Sequence, residues 1–265
     1  MIQSAVLRKL RGGDFVKIAG MSRVTDPWLA EVIGRLGYDL IWFDMEHRAF
    51  DYHVIDPISL ACRSAGIDLM VRILKTGYVA PMRALEFGAQ GIMVPHCMNA
   101  AEARQWVEFT RFPPLGRRGF DGSGADADHG FAEPLEYMRH ANNETFLVLQ
   151  IEDREAVDHA SEIAAVEGVD LIFVGPGDLS ISYGVPMQTD HPLVQRAIDR
   201  VANATAKAGK WWGMPTGSPE QAPALLDRGA RFITCGGDHG ALVNGLRSSL
   251  SAHAHLRVPA TALKE

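Results

Sequence analysis

Glu152 closes the run Gln150-Ile151-Glu152, and Asp178 follows Gly175-Pro176-Gly177 at the end of the next apolar run. If those runs are neighbouring strands, the two carboxylates converge with no cysteine and no clustered histidine beside them. Such a pair favours a hard divalent cation over structural zinc. Two protein ligands leave coordination positions open, through which a cation can chelate a 2-oxo acid and polarise its carbonyl as a Lewis acid. The alternative is that each carboxylate caps the helical pattern that follows it.

Arg72 stands inside the apolar run Asp68-Leu69-Met70-Val71-Arg72-Ile73. Burying a guanidinium is costly without a compensating anion, so it faces either a substrate carboxylate or oxyanion, or an internal salt bridge to Glu152 or Asp178. His47 lies three residues after Asp44 in Asp44-Met45-Glu46-His47. A turn there would let Asp44 orient one ring nitrogen while the other acts as a general base, and a plain surface hydrogen bond is the alternative. His96, just after Pro95 at a strand end, is a second candidate for that base, with a polar residue of the rim as the favoured alternative. Lys17 and Lys75 are available for a Schiff-base mechanism.

Two other signals carry less. Asp126-Ala127-Asp128-His129-Gly130 lacks the third ligand of a calcium loop, and Tyr137 falls where its glutamate belongs. The glycines around Met214-Pro215-Thr216 and in Cys235-Gly236-Gly237 sit where many barrels hold phosphate, but no lysine or arginine reinforces them.

Positioning these residues requires strands, and eight short runs rich in Val, Ile, Leu, Phe and Met supply them: 14–20, 39–44, 68–73, 91–95, 145–152, 170–175, 211–215 and 231–236. Most are continuously apolar, as parallel strands buried on both faces are, and helical patterns separate them. Glycines at Gly37, Gly66, Gly88, Gly168 and Gly229 stand just before strands, where they end the preceding helix. Eight βα units in 265 residues predict a single α/β domain over 1–265, a (β/α)8 TIM barrel with its chemistry where strands hand over to helices. Two features depart from the repeat. The stretch 111–143 is rich in glycine and proline and reads as a functional lid or a disordered loop, and the tail after about 251 reads as a frayed end or a docking arm.

Composition excludes several classes. With 47% apolar and 22% charged residues the chain is an ordinary globular protein. A net charge of −6 argues against nucleic acid. No apolar run spans a bilayer, and the charged start MIQSAVLRKLRGG does not read as a signal peptide, so no membrane partner and a cytoplasmic location are expected. Cys62, Cys97 and Cys235 are far apart and suit neither disulfides nor a zinc cluster.

The ordered set Gly37-Tyr38-Asp39, Asp44-Met45-Glu46-His47, Val71-Arg72, Val94-Pro95 with Asn99 to Ala103, Arg111-Phe112-Pro113-Pro114 with Gly116 and Arg118-Gly119, Gln150-Ile151-Glu152, and Gly175-Pro176-Gly177-Asp178-Leu179-Ser180 resembles the HpcH/HpaI family of metal-dependent 2-oxo acid aldolases. The resemblance implies that Glu152 and Asp178 bind magnesium, manganese or cobalt, that His47 with Asp44 is the acid/base, and that Arg72 stabilises the enolate oxygen. It further implies that backbone N–H groups near Gly177 and Asp178 hold the pyruvate carboxylate, beside Gln150. The partners implied are a 2-oxo acid and an aldehyde, in a homo-oligomer, a hexamer or trimer of dimers, whose neighbouring subunit completes the site.

Departures from the family are Gly177 in place of alanine, His96-Cys97 after Pro95, and the acidic, glycine-rich segment 120–130. Trp211, Trp212 and Met214 are expected to narrow the aldehyde pocket, with Trp212 in contact with substrate. The expected reaction is class II retro-aldol cleavage of a 4-hydroxy-2-oxo acid to pyruvate and an aldehyde through a metal-stabilised enolate. Its rivals are a lyase or decarboxylase acting on a malyl or citramalyl thioester or on oxaloacetate, and a non-enzymatic barrel that only binds a metal and a carboxylate.

Overall fold

A computed structural model describes residues 1 and 3–256. Eight parallel strands close into a barrel in chain order: β1 Val16–Met21, β2 Leu40–Asp44, β3 Asp68–Arg72, β4 Gly91–Val94, β5 Phe146–Ile151, β6 Leu171–Val174, β7 Trp211–Pro215 and β8 Phe232–Gly237. Each departs from the run read in the sequence by no more than two residues at either end. Helix α1 Ala5–Arg11 precedes the barrel. Around it lie α2 Pro27–Arg35, α3 Ile55–Ala65, α4 Val79–Glu86, α5 Ala100–Thr110, α6 Pro134–Glu144, α7 Arg154–Asp158, α8 Ala160–Ala164, α9 Pro176–Ser182, α10 Pro192–Lys207, α11 Ala222–Asp227 and α12 Asp238–Ala252.

The continuous apolarity of the strands follows from burial on both faces. Alternate residues such as Ile18, Leu40, Met70, Phe146, Phe173 and Phe232 fill the lumen, and α1 stops its lower end with Val6, Leu7 and Leu10. The other set, including Phe43, Val71, Leu149, Ile172, Trp212 and Ile233, packs against the helices. Asp68, the first residue of β3, anchors the plug by accepting hydrogen bonds from the Ser4 hydroxyl and from the amides of Ala5 and Val6, each amide at 3.0 Å. It thereby satisfies the free amides of a helix start.

The stretch 111–143 is not a lid over the site. It joins α5 to β5, a helix to the next strand, and such connections lie at the N-terminal ends of the strands, whereas the site face is built by strand-to-helix loops. Nor is it irregular throughout, since it contains a 3-10 segment, Ala125–Gly130, and α6. Phe112, Ala127, Tyr137 and Ala141 form a small core of their own. The buried Arg118 guanidinium lies 4.8 Å from the Phe112 ring centre and pairs with Asp126, which also accepts the Tyr137 hydroxyl at 2.7 Å. Ser4 and Arg11 hold Glu144 at 2.8 and 3.1 Å, so this segment and α1 brace each other under the barrel.

At the other end of the chain, α12 exposes Leu242, Leu246 and Leu250, and its contacts are with β1 and β8. Residues 257–265 of the tail, with Pro259, lie outside the described residues. No described helix is long and apolar enough to cross a membrane.

Candidate active site

The lumen-facing column of each strand is apolar below and polar at its C-terminal end. Leu40 and Trp42 lead to Asp44, Met70 to Arg72, and Val148 to Gln150 and Glu152, with successive members two residues apart as strand alternation requires. Asp44 and Arg72 are register partners across β2 and β3. The guanidinium of Arg72 donates from Nε to Asp44 Oδ1 at 3.0 Å and lies 2.9 Å from Oδ2 through Nη2. Its Nη1 is 3.0 Å from Glu46 Oε2, and its plane lies 4.9 Å from the centre of the Trp42 ring. Arg72 is therefore paired with Asp44 and Glu46, and not with the Glu152 or Asp178 considered from the sequence. Glu46, two residues past Asp44, was not singled out as a site residue; continuing the alternation beyond the strand end would have placed it there.

Glu152 is 1% exposed. Its Oε2 accepts from the Gln150 amide at 2.6 Å and its Oε1 from the His96 backbone N–H at 3.0 Å. Burial is the main force pushing its carboxyl up to about 7, with the Asp178 charge adding to the rise and His96 and Arg72 opposing it. Gly175 makes room for this carboxylate, because a Cβ there would sit 2.2 Å from Glu152 Oε2. Glu152 is not a helix cap: the residue at the N-cap of α7 is Asp153. Asp178 is exposed in the first turn of α9, whose N-cap is Gly175. Because β5 and β6 are neighbours, Glu152 just past β5 and Asp178 just past β6 stand on one side of the barrel mouth.

The expected pairing of His47 with Asp44 does not form. Asp44 is taken up by Arg72 and by the Glu46 amide at 3.1 Å, while the His47 ring, 57% exposed, lies 3.6 Å from Glu46 Oε2. Glu46 thus bridges Arg72 and His47. The reason is the turn: the three-residue spacing carries the His47 ring outward while the alternating position brings Glu46 back over Arg72.

His96 is more than a residue of the rim. Its Nδ1 is 2.9 Å from Asp153 Oδ2, and its Nε2 points between Glu152 Oε1 at 3.6 Å and Glu46 Oε1 at 3.9 Å. The backbone there has φ +47°, the left-handed region, which costs a non-glycine residue about 1–2 kcal/mol. Histidine is among the residues that tolerate it.

Other expectations fall elsewhere. Trp212 is 2% exposed and belongs to the layer between strands and helices, so it makes no contact at the mouth; β7 turns Trp211 and Gly213 toward the lumen and Trp212 away from it. Trp211 opens β7 and therefore packs at the lower end of the barrel. Met214 does line a groove of about 400 Å³ that begins at Pro176-Gly177 and runs past Met187, Gln195, Thr216 and Gln221. Lys17 is at the start of β1, far from the strand ends, and Lys75 is held by Glu102 at 2.5 Å and by the His96 carbonyl at 2.7 Å. Neither is placed as a free nucleophile facing the mouth.

A divalent cation fits this donor set. Apart from the His96 ring at 3.6 Å, Glu152 is a buried carboxylate with amide donors but no lysine or arginine in contact among the described residues, and Gln150 Oε1 beside it is buried without a protein partner. A buried anion in that state calls for a positive charge. Among the described residues no three His, Cys, Asp or Glu side chains form a ready-made cage, so the protein would supply part of the coordination shell and leave the rest open.

A sequence model of the family described as HpcH/HpaI aldolase/citrate lyase matches residues 22–245. The hydroxypyruvate/pyruvate aldolase of Delftia acidovorans is 36% identical over 227 residues, which are 86% of this chain and 84% of that protein. The 2-keto-3-deoxy-L-rhamnonate aldolase of Salmonella gallinarum is 33% identical over 257 residues, 96% of this chain and 94% of that one. Among solved structures, an HpcH/HpaI aldolase from Desulfitobacterium hafniense superposes with a TM-score of 0.92 at 30% identity, covering 97% of this chain and 98% of the other.

Proposed function

The chain belongs to the HpcH/HpaI aldolase/citrate lyase family and is an aldolase, and from that premise we propose that it cleaves a 4-hydroxy-2-oxo acid reversibly to pyruvate and an aldehyde with the help of a divalent cation. The observation that carries the proposal is Glu152: a carboxylate 1% exposed, held by two N–H donors, with Asp178 as its acidic neighbour and, among the described residues, no lysine or arginine paired to it. Glu152 and Asp178 would hold magnesium, manganese or cobalt, which would supply Lewis-acid polarisation of the 2-oxo group.

The protein's own groups do the rest. Cleavage breaks the C3–C4 bond, its electron pair moves into the 2-oxo group as that oxygen becomes an enolate oxygen, and the 4-hydroxyl proton leaves as the aldehyde forms. Arg72 faces this developing charge. Three of its contacts are to carboxylates, and its fork of donors is fixed by Asp44, Glu46 and the Trp42 face before substrate arrives. Such preorganisation is worth most where water is excluded.

His47, oriented by Glu46, takes the 4-hydroxyl proton and returns one to C3 of the enolate, which completes the methyl of pyruvate. The substrate carboxylate lies against the backbone N–H groups of Gly177 and Asp178, with Gln150 beside it. From there the aldehyde portion extends into the groove past Thr216 and Gln221, whose polar groups suit a hydroxylated chain.

Pyruvate methyl-proton exchange in deuterated water tests this without knowledge of the aldehyde. Exchange that is abolished by chelator and restored by added cation is the expected result. Exchange indifferent to chelator would remove the cation from the mechanism, and pyruvate trapped by borohydride on Lys75 would replace it with a Schiff base.

A further inference from the structure

We propose that His96 is a further protein ligand of the cation held at Glu152, donating through Nε2 beside that carboxylate, and that this nitrogen tunes the site toward transition metals. The inference rests on the metal-dependent reading above and adds to it a ligand of different chemistry.

Three features of the geometry point the same way. The first is distance: two donors that share a cation through bonds of about 2.1 Å stand about 3–3.4 Å apart. His96 Nε2 is 3.6 Å from Glu152 Oε1, so a shift of a few tenths of an ångström brings both onto one ion. The second is orientation. Nδ1 lies 2.9 Å from the Asp153 carboxylate, which fixes the ring and leaves Nε2 facing Glu152; a carboxylate behind a histidine is the usual outer partner of a metal-bound imidazole.

The third is the backbone. His96 adopts φ +47°, its amide donates to Glu152 Oε1, and Lys75 holds its carbonyl at 2.7 Å. One residue thus grips the carboxylate with its main chain and aims a nitrogen past it with its side chain. Glu46 Oε1, 3.9 Å from the same nitrogen, is the competing neighbour, but Arg72 already occupies Glu46 through its other oxygen.

An imidazole nitrogen strengthens binding of cobalt, manganese or zinc relative to magnesium, for which oxygen ligands are preferred. The test uses the full chain loaded with Co(II), compared with His96→Asn and Asp153→Asn. Asparagine tolerates the left-handed backbone, so His96→Asn keeps the turn. Expected in His96→Asn are a shift of the visible Co(II) absorption, a loss of Co(II) affinity of at least about tenfold, and Mg²⁺ affinity within about threefold of wild type. Asp153→Asn should lower Co(II) affinity less, in the same direction.

An unchanged Co(II) spectrum, or equal losses for both ions, overturns the ligand assignment while leaving the two-carboxylate site standing. Should His96→Asn fail to fold, His96→Gly, which suits the same φ, carries the identical comparison. Wild-type protein that binds neither ion stoichiometrically overturns both this inference and the reading beneath it.

Discussion

Two buried arginines at opposite ends of the barrel, Arg111 and Arg72, are used in opposite ways. Arg111, at the lower end, is 2% exposed and spends its donors on the carbonyls of Gly168, Asn142 and Thr145, the Thr145 hydroxyl and the Asp170 carboxylate. It ties together the approaches to β5 and β6 and has nothing left to offer. Arg72, at the mouth, has as its polar contacts among the described residues the two carboxylates of Asp44 and Glu46, and it rests on Trp42. A guanidinium has five N–H donors, and three contacts leave some of them for a ligand. A saturated arginine holds a fold together, whereas one oriented by carboxylates and left incomplete can receive a developing charge.

The largest expected effect separates the two ends. Glu152→Ala should abolish cation-dependent exchange, a loss on the order of 10³-fold or more given the several kcal/mol of charge stabilisation a cation supplies, with the fold intact. Gly175→Ala should approach that result, since its Cβ would displace the same carboxylate. Arg111→Ala should do the reverse: stability falls, because the carbonyls of Gly168, Asn142 and Thr145 lose their buried donor at about 1–3 kcal/mol for each group left unpaired, while exchange per folded molecule stays normal. Melting curves measured beside exchange rates decide this. Loss of the fold in Glu152→Ala would erase the distinction between the two ends.

Arg72→Lys sharpens the comparison. If Arg72 only neutralised Asp44 and Glu46, an ammonium would serve. If its directed donors stabilise the enolate, lysine should fold normally and lose exchange by roughly 10²–10³-fold, the usual cost of one oxyanion donor. Exchange near the wild-type rate in Arg72→Lys would return Arg72 to the same class as Arg111.

A smaller effect comes from pH. Burial raises the Glu152 carboxyl to about 7, so in the cation-free protein it keeps its proton to higher pH than an ordinary carboxylate. A cation must displace that proton below about pH 7 and need not above it. Affinity for Mn²⁺ should therefore fall about tenfold per unit as pH drops below 7 and level off above it. For the protein alone the sign is opposite: an acid whose pKa rises on folding costs stability as pH climbs from its unfolded value, near 4.5, toward 7, and bound cation recovers the loss. Calorimetric titrations at pH 6, 7 and 8 check the slope, and an affinity independent of pH would show that Glu152 is not the group displaced.

The same comparison explains what could be read from the sequence. Arg72, Gln150 and Glu152 were legible because strand alternation is regular and a polar residue at the end of an apolar run has few other reasons to be there. Trp212 was misread because two adjacent tryptophans were taken together, although alternation sends only one of them inward. The segment 111–143 was misread because its length was weighed and its position after a helix was not. His96 was legible as a second candidate at a strand end, but its grip on Glu152 was not, since a left-handed turn at a histidine leaves no mark in composition or spacing. The Glu46 bridge depended on the path of a turn, which spacing alone does not determine.

The smallest expected effect concerns Gly177. Two glycines flank Pro176, and they answer to different constraints. At Gly175 a Cβ would strike Glu152, so the residue is fixed by the site. At Gly177 a Cβ would meet nothing within 4 Å, and the residue lies in the first turn of α9. Replacing a glycine by alanine in compatible helical backbone removes conformational freedom from the unfolded chain and stabilises by about 0.4–1 kcal/mol. Gly177→Ala should therefore raise the melting temperature slightly and leave cation affinity and pyruvate exchange within about twofold of wild type. A larger fall in exchange, with the fold intact, would mean that a ligand approaches the backbone at Gly177 more closely than a methyl group allows, and would bring this position under the same constraint as Gly175.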